Sequence, residues 1–175
     1  MIDDIDLHIL NIIQNDGKIS NAKLARQLQM APSGVLERVR KLQKKGILEG
    51  YEVRLNPAKL GLTVTAFIHI LTSDSVGSTQ IGEQLAEFPE IQEVHWIAGN
   101  YNYLVKTKLR DASDLRALLK KCGQIEGLSD TRTTLVLETV KESQAIPVEQ
   151  LTRHLNGGGR ITSFTKRGDN DKQPP

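Results

Sequence analysis

The sequence predicts an α+β fold in two parts, and three observations predict it. Through the first 45 positions apolar residues recur at spacings of three and four between turn residues, the pattern of short helices. From residue 62 the chain changes to runs rich in Thr, Val, Ile and Phe, alternating with two amphipathic stretches. Charge divides at the same place: residues 1–60 hold ten Lys/Arg against seven Asp/Glu, whereas residues 61–150 hold eight against twelve.

In the first part, Ile5, Ile9, Ile12 and Ile13 follow Asp3 and Asp4, which suit an N-cap and first turn, and Asp16-Gly17 ends the helix. Ser20 is the expected N-cap of a second helix with Leu24, Ala25 and Leu28, although Lys23 stands where a capping box would place Glu. After Gln29-Met30-Ala31, Pro32 suits the first position of a third helix, where its missing N–H costs nothing. Val35, Val39 and Leu42 define that helix's apolar face. Ser33, Glu37, Arg40, Lys41 and Lys44 fall opposite, with Gly34 and Arg38 on the flank. Gly46 stops the helix, residues 47–55 read as a short strand or wing, and Asn56-Pro57 breaks it. Three short helices and a wing make a winged helix-turn-helix over residues 1–50, with a linking strand over 51–61.

The second part begins with a strand at residues 62–71 and a helix carrying Ile81, Leu85 and Phe88, ended by Pro89. Residues 91–97 form a second strand, Gly99-Asn100 turns the chain, and residues 101–109 form a third. Asp111 to Ser113 cap a helix bearing Leu115, Leu118 and Leu119, Gly123 closes it, and residues 128–140 make a long fourth strand. This βαββαβ order is the ferredoxin-like plan, a sheet with both helices on one face, over residues 62–148. AFIHIL and LVLETV are apolar at nearly every position, so the other face calls for a covering sheet, most simply from a second subunit. Residues 149–175 are Gly-rich and polar, and are expected to form a flexible tail.

Several function classes are excluded by composition. No apolar run approaches the roughly 18 residues of a membrane span, and MIDDIDLHIL is acidic where a signal peptide is basic, so a cytoplasmic protein with no membrane partner is expected. The single cysteine, Cys122, builds neither a disulfide framework nor a thiolate cluster and reads as a small buried hydrophobe. His8, His69, His95 and His154 show no i, i+4 pairing and no Cys companion, so no metal site, cofactor or catalytic dyad is implied.

The chemistry concentrates on the third helix. Arg38, Arg40, Lys41, Lys44 and Lys45 lie within eight residues, with no acid after Glu37. Such a run is most often a solvated face, but on the last helix of a trihelical module it fits the major groove of double-stranded DNA. The early residues of such a helix meet base edges and the later ones the backbone. Ser33, Gly34, Glu37 and Arg38 are thus candidate base readers, and Arg40, Lys41, Lys44 and Arg54 candidate phosphate contacts. Gly34 costs about 1 kcal/mol relative to Ala within a helix. Close approach of its backbone to DNA is one reason for it, and a tolerated blemish the other.

These motifs resemble the feast/famine (Lrp/AsnC) regulators over about residues 2–148. Ile2-Asp3, Asp6, Ile9-Leu10 and Asp16-Gly17-Lys18 look like the family's first helix and turn, and LARQLQMAPSGVLERVRKLQKKGILEGYEVRLNPAKLG follows its next two helices and linker. AGNYNYLVKTKL and GLSDTRTTLVLETVK resemble its ligand-sensing domain. The resemblance implies a sequence-specific transcription regulator that senses an amino acid or related metabolite, dimerises by sheet packing and often assembles into octamers. By motif position it also implies an effector site at Gly99, Asn102, Asp130, Thr131, Thr133 and Thr134, residues that otherwise read as a turn glycine and strand-favouring polar positions. Tyr101, Tyr103 and Trp96 read as interface or core aromatics. Two positions depart from the family pattern. Ala31 replaces a helix-capping Ser, and Asn102 replaces an Asp expected to face the effector, which weakens a charge-based grip on an α-ammonium group.

Two other readings compete. Siroheme decarboxylases share the two-part fold and carry a Tyr-Asn pair like Tyr101-Asn102, but their His-Asn-Tyr-x-Arg signature is absent: Trp96-Ile97 follows His95, and no Arg lies between Glu93 and Lys108. The other is an architectural DNA-binding protein without an effector, which a comparison of specific and random duplexes would distinguish.

Overall fold

Asp3 and Asp6 start the first helix reciprocally: the Asp6 N–H donates to Asp3 Oδ1 at 2.9 Å, and the Asp3 N–H donates to Asp6 Oδ2 at 3.3 Å. Helix α1 (Asp4–Asn15) follows, then α2 (Asn21–Gln27), whose cap Ser20 Oγ accepts from the Lys23 N–H at 3.2 Å, and α3 (Pro32–Lys44). The structure, a computed structural model, describes residues 2–73, 75, 77–148 and 151. The chain divides into two units: Met1–Glu52 with Ser143–Pro175, and Val53–Glu142. Among the described residues no helix is long and apolar enough to cross a membrane.

Helices α2 and α3 end with the same pair of bonds. After α2, the Met30 N–H reaches Ala25 O at 2.9 Å and the Gln29 N–H reaches Arg26 O at 3.3 Å; after α3, Ile47 N–H reaches Leu42 O at 3.0 Å and Gly46 N–H reaches Gln43 O at 2.9 Å. This closure puts one residue in the left-handed region, Gln29 (φ 53°) in the first case and Gly46 (φ 67°) in the second. The helices bury Ile9, Ile13, Leu24, Ala25, Val35, Val39 and Leu42 against one another. Residues 143–148, which the sequence assigns to the second domain, fall in this unit. Gln14 brackets Ile146 there, donating from Nε2 to its carbonyl at 2.9 Å and accepting its N–H on Oε1 at 3.1 Å.

In the second unit a 3₁₀ turn (Ala58–Leu60) precedes β1 (Val64–Thr72), α4 (Gln80–Ala86), β2 (Ile91–Trp96), β3 (Tyr103–Leu109), α5 (Ala112–Cys122) and β4 (Leu128–Leu135). The sheet is antiparallel in the order β2-β3-β1-β4, the ferredoxin-like arrangement. Ile68, Ile70, Tyr103, Val105 and Leu109 form one face, packed with Ile81 and Leu85 of α4 and Leu118 and Cys122 of α5. Cys122 is thus the buried hydrophobe its sequence context suggests, and burial lifts its thiol pKa to about 11. Helix α4 comes close to the sheet at Gly82, where an added Cβ would lie 2.6 Å from the Tyr103 ring.

Two expected strands are corrected. Residues 47–55 and the link over 51–61 form no strand, and Tyr51, Val53 and Leu55 stand 52%, 80% and 69% exposed: the alternating pattern is present, but no neighbouring strand pairs with it among the described residues. The fourth strand ends at Leu135 rather than 140, because β1 starts at Val64 and offers its last bond, Thr65 O, to the Val136 N–H. Much of LVLETV is therefore off the sheet, and the uncovered face is more mixed than expected. Phe67, Leu71 and Leu104 share it with Glu93, His95, Lys106 and Arg132, as the register requires. The tail expected over 149–175 lies, apart from Leu151, outside the described residues.

Candidate nucleic-acid interface and effector site

Helix α3 buries Val35, Val39 and Leu42, so the 100° step carries Ser33, Glu37, Arg40, Lys41 and Lys44 to its outer side, and all five are exposed. Lys41 pairs with Glu37 one turn earlier at 2.6 Å, which holds the Glu37 carboxyl below its usual range. Among the described residues Arg40 and Lys44 have no ion-pair partner. Unpaired cations on one helical face offer charge to a polyanion without a competing carboxylate. Ala31 provides no side-chain cap, and Pro32 occupies the first position of the helix.

Arg38 and Gly34 differ from their neighbours. The Arg38 Nη1 donates to Asp3 Oδ2 and to Asp6 Oδ1, each at 2.7 Å, joining the start of α1 to α3. Asp3 and Asp6, in that order, raise the Arg38 pKa against the effect of burial. Burial pushes the Asp3 carboxyl up, but the Asp6 N–H and the Arg38 guanidinium outweigh it and hold the pKa below the usual range. Asp3, Asp6, Gly34, Glu37, Arg38 and Lys41 line one open groove. The clamp on Arg38 was not anticipated from sequence. Its only trace there is the Asp3/Asp6 spacing, which looks like a helix cap and nothing more. At Gly34 an added Cβ would meet only Met30 Cε at 3.7 Å, so packing within the unit does not demand glycine.

Arg54 does not join the α3 set. It belongs to the second unit, where its Nη2 donates to Glu142 O at 3.1 Å. The Glu142 carboxylate spans Lys106 and Lys108 of β3, and these two cations hold its pKa down to about 2.

The expected effector residues divide into groups. Gly99 (φ 148°) turns the chain between β2 and β3 in a backbone region that favours glycine. Asn102 is tied to the sheet: its Oδ1 accepts from the Thr72 N–H at 2.8 Å, its N–H donates to Ile70 O at 2.9 Å, and its carbonyl accepts from the Ile97 N–H at 2.8 Å. On β4, Thr131 and Thr133 pair with Ile70 and Ile68 and share the helix-covered face, whereas Asp130 and Thr134 pair with Leu71 and Phe67 on the other. The six residues therefore do not line a single face. Tyr103 is a core aromatic, 2% exposed, Trp96 is 56% exposed, and Tyr101 sets its ring 5.5 Å from that of His69.

Comparison with known proteins agrees with both halves. Residues 2–49 match the winged helix-turn-helix DNA-binding family, and residues 65–146 match the Lrp/AsnC ligand binding domain. The leucine-responsive regulatory protein of Escherichia coli K12 is 37% identical over 153 residues, covering 85% of this chain and 92% of its own, and that of Klebsiella pneumoniae is 36% identical over 151 residues with the same coverage. Among solved structures, E. coli AsnC superposes with a TM-score of 0.76 at 26% identity, covering 83% of this chain and 98% of its own. The leucine response regulatory protein of Mycobacterium tuberculosis superposes at 0.74 and 28%, covering 83% and 100%. A Neisseria meningitidis transcriptional regulator solved with L-Met shares the fold at a TM-score of 0.80 and 24% identity, covering 86% and 99%. A basic third helix on a trihelical unit, a four-stranded sheet with two helices on one face, and relatives matched along most of their length all lead to one assignment: this chain belongs to the Lrp/AsnC family of transcriptional regulators.

Proposed function

We propose that the chain regulates transcription in the cytoplasm by holding α3 in the major groove of a specific duplex, and that its second domain responds to an amino acid or a related small metabolite. It acts by binding, with no catalytic step. Ser33, Gly34, Glu37 and Arg38 face base edges, and Arg40, Lys41 and Lys44 face phosphates. Arg54, on the other unit, is a further phosphate contact. The observation that carries this reading is the outward pair Arg40 and Lys44, unpartnered among the described residues and opposite the buried Val35, Val39 and Leu42. Two copies, joined through the uncovered sheet face and able to assemble into octamers, would read half-sites about one helical turn apart, or multiples of it.

Titration of the full-length protein against duplex DNA tests this. A site enriched from a random pool should bind at least about 10³-fold tighter than scrambled duplex at matched salt. Lys44→Ala should weaken binding to every sequence and lower the salt slope by about one. Equal affinities for all duplexes would favour an architectural role.

The effector reading is supported by the relatives named leucine-responsive and by the match to the Lrp/AsnC ligand binding domain. Gly99, Asn102, Asp130, Thr131, Thr133 and Thr134 are its proposed contacts. With the Asn102 oxygen engaged by Thr72, the group left for a ligand is the Nδ2 donor, which suits a carboxylate. Thermal scanning against the free amino acids should show one that stabilises the protein, by about 2.7 kcal/mol at a hundred times its Kd. No shift with any of them would leave the domain an oligomerisation device.

A further inference from the structure

We propose that Asp3 and Asp6 are positioning residues that fix the Arg38 guanidinium in the orientation from which it discriminates between base pairs. The inference rests on the DNA-reading assignment of α3. Its starting point is the division of labour within each carboxylate. Asp3 gives Oδ1 to the Asp6 N–H and Oδ2 to Arg38, and Asp6 gives Oδ2 to the Asp3 N–H and Oδ1 to Arg38. The acids are thus held by the backbone of the first turn of α1, and they hold the arginine in turn.

Charge argues for a geometric role. Two carboxylates and one guanidinium sum to a formal charge of −1, so the set adds no attraction for a polyanion, and its acids stand in the groove shared by Gly34, Glu37 and Lys41. Attraction is left to Arg40 and Lys44. What the acids provide is restraint: a free arginine carries about 2 kcal/mol of rotamer entropy that must be lost when it pairs with a base, and the clamp removes that loss in advance. Both bonds fall on Nη1, while a guanidinium has five donors, and the Arg38 side chain remains 28% exposed.

Asparagine separates the cap from the clamp. Asp3→Asn and Asp6→Asn each keep one oxygen for the helix cap and replace the other with an amide group that cannot accept from Arg38. The probes are a fluorescent duplex enriched by the wild-type full-length protein from a randomised pool and a scrambled duplex of equal composition. Each substitution should lower the enriched-to-scrambled affinity ratio by about tenfold or more, the loss of one oriented base contact. Affinity for the scrambled duplex should rise, since a negative charge has gone. In an Arg38→Ala background the same substitutions should leave the ratio unchanged, whereas general damage to the fold would lower both affinities in either background.

An unchanged ratio in Asp3→Asn and Asp6→Asn, or enriched and scrambled affinities that rise together, would overturn the positioning role while leaving the α3 reading intact. A wild-type protein that enriches no sequence would instead remove the α3 reading, and this inference with it.

Discussion

The two units spend their charged and strained positions differently. The helical unit leaves Arg40 and Lys44 unpartnered among the described residues, starts α3 on an uncapped Ala31, and closes α2 on a non-glycine residue in the left-handed region. The sheet unit ties several of its charges together in pairs: Glu142 spans two lysines, Lys121 meets Glu90, and Arg110 grips Asp114. The uncapped start of α3 and the left-handed residue after α2 are departures from local rules that a single substitution can remove. The helical unit should accordingly be easy to improve by single substitutions, and the sheet unit easy to damage.

The largest effect is expected at the Gly82 contact. Gly82→Ala pushes a methyl into the Tyr103 ring and should cost about 1–3 kcal/mol, read as a lower midpoint in denaturant. Gly34→Ala, with its open surroundings, should leave stability unchanged or slightly raised; a comparable loss there would erase the contrast.

Glu142→Gln comes next. Its carboxyl is depressed in the folded state, so the stability it provides is complete above the ordinary carboxylate pKa of 4.5 and disappears as pH falls toward about 2. The side chain is 37% exposed, and screening limits the loss at neutral pH to about 1 kcal/mol. Thermal midpoints of wild type and variant should converge in acid. A gap that persists at pH 2 would assign the effect to packing.

In the helical unit the sign reverses. Ala31→Ser supplies the missing cap and should add about 1 kcal/mol. Gln29→Gly relieves the left-handed residue and should add about 0.5 kcal/mol, less than the strain removed because glycine has more freedom to lose. Hydrogen exchange on the full chain, localised by mass spectrometry, should show slower exchange confined to α2 and α3 in both variants.

Much of this was legible in the sequence wherever a short window contains the whole cause. Ser20, Pro32 and Asp111 mark helix starts because a cap needs only its own turn, and the outer face of α3 follows from counting round a helix. Arg38 is where counting stopped working: its side chain is claimed by acids thirty-two and thirty-five positions away. Residues 47–55 show the converse, since they read as a short strand or wing but a strand also requires a neighbour, which no local pattern supplies. Residues 136–140 have the same explanation, because β1 begins too late to pair with them. On β4 the register sets Thr131 and Thr133 on one face and Asp130 and Thr134 on the other, a division the motif reading did not make. Motif position does not encode which face a residue takes, so the candidate effector set read from it spans both sides.

Asn102 has a consequence for how ligand binding could be watched. By closing the final N–H of β1 with its own side chain, the residue wires the loop beyond β2 into the end of an inner strand. A molecule that took hold of this amide would disturb that last rung, so the amide resonance of Thr72 would register occupancy of the loop before the occupant had been identified.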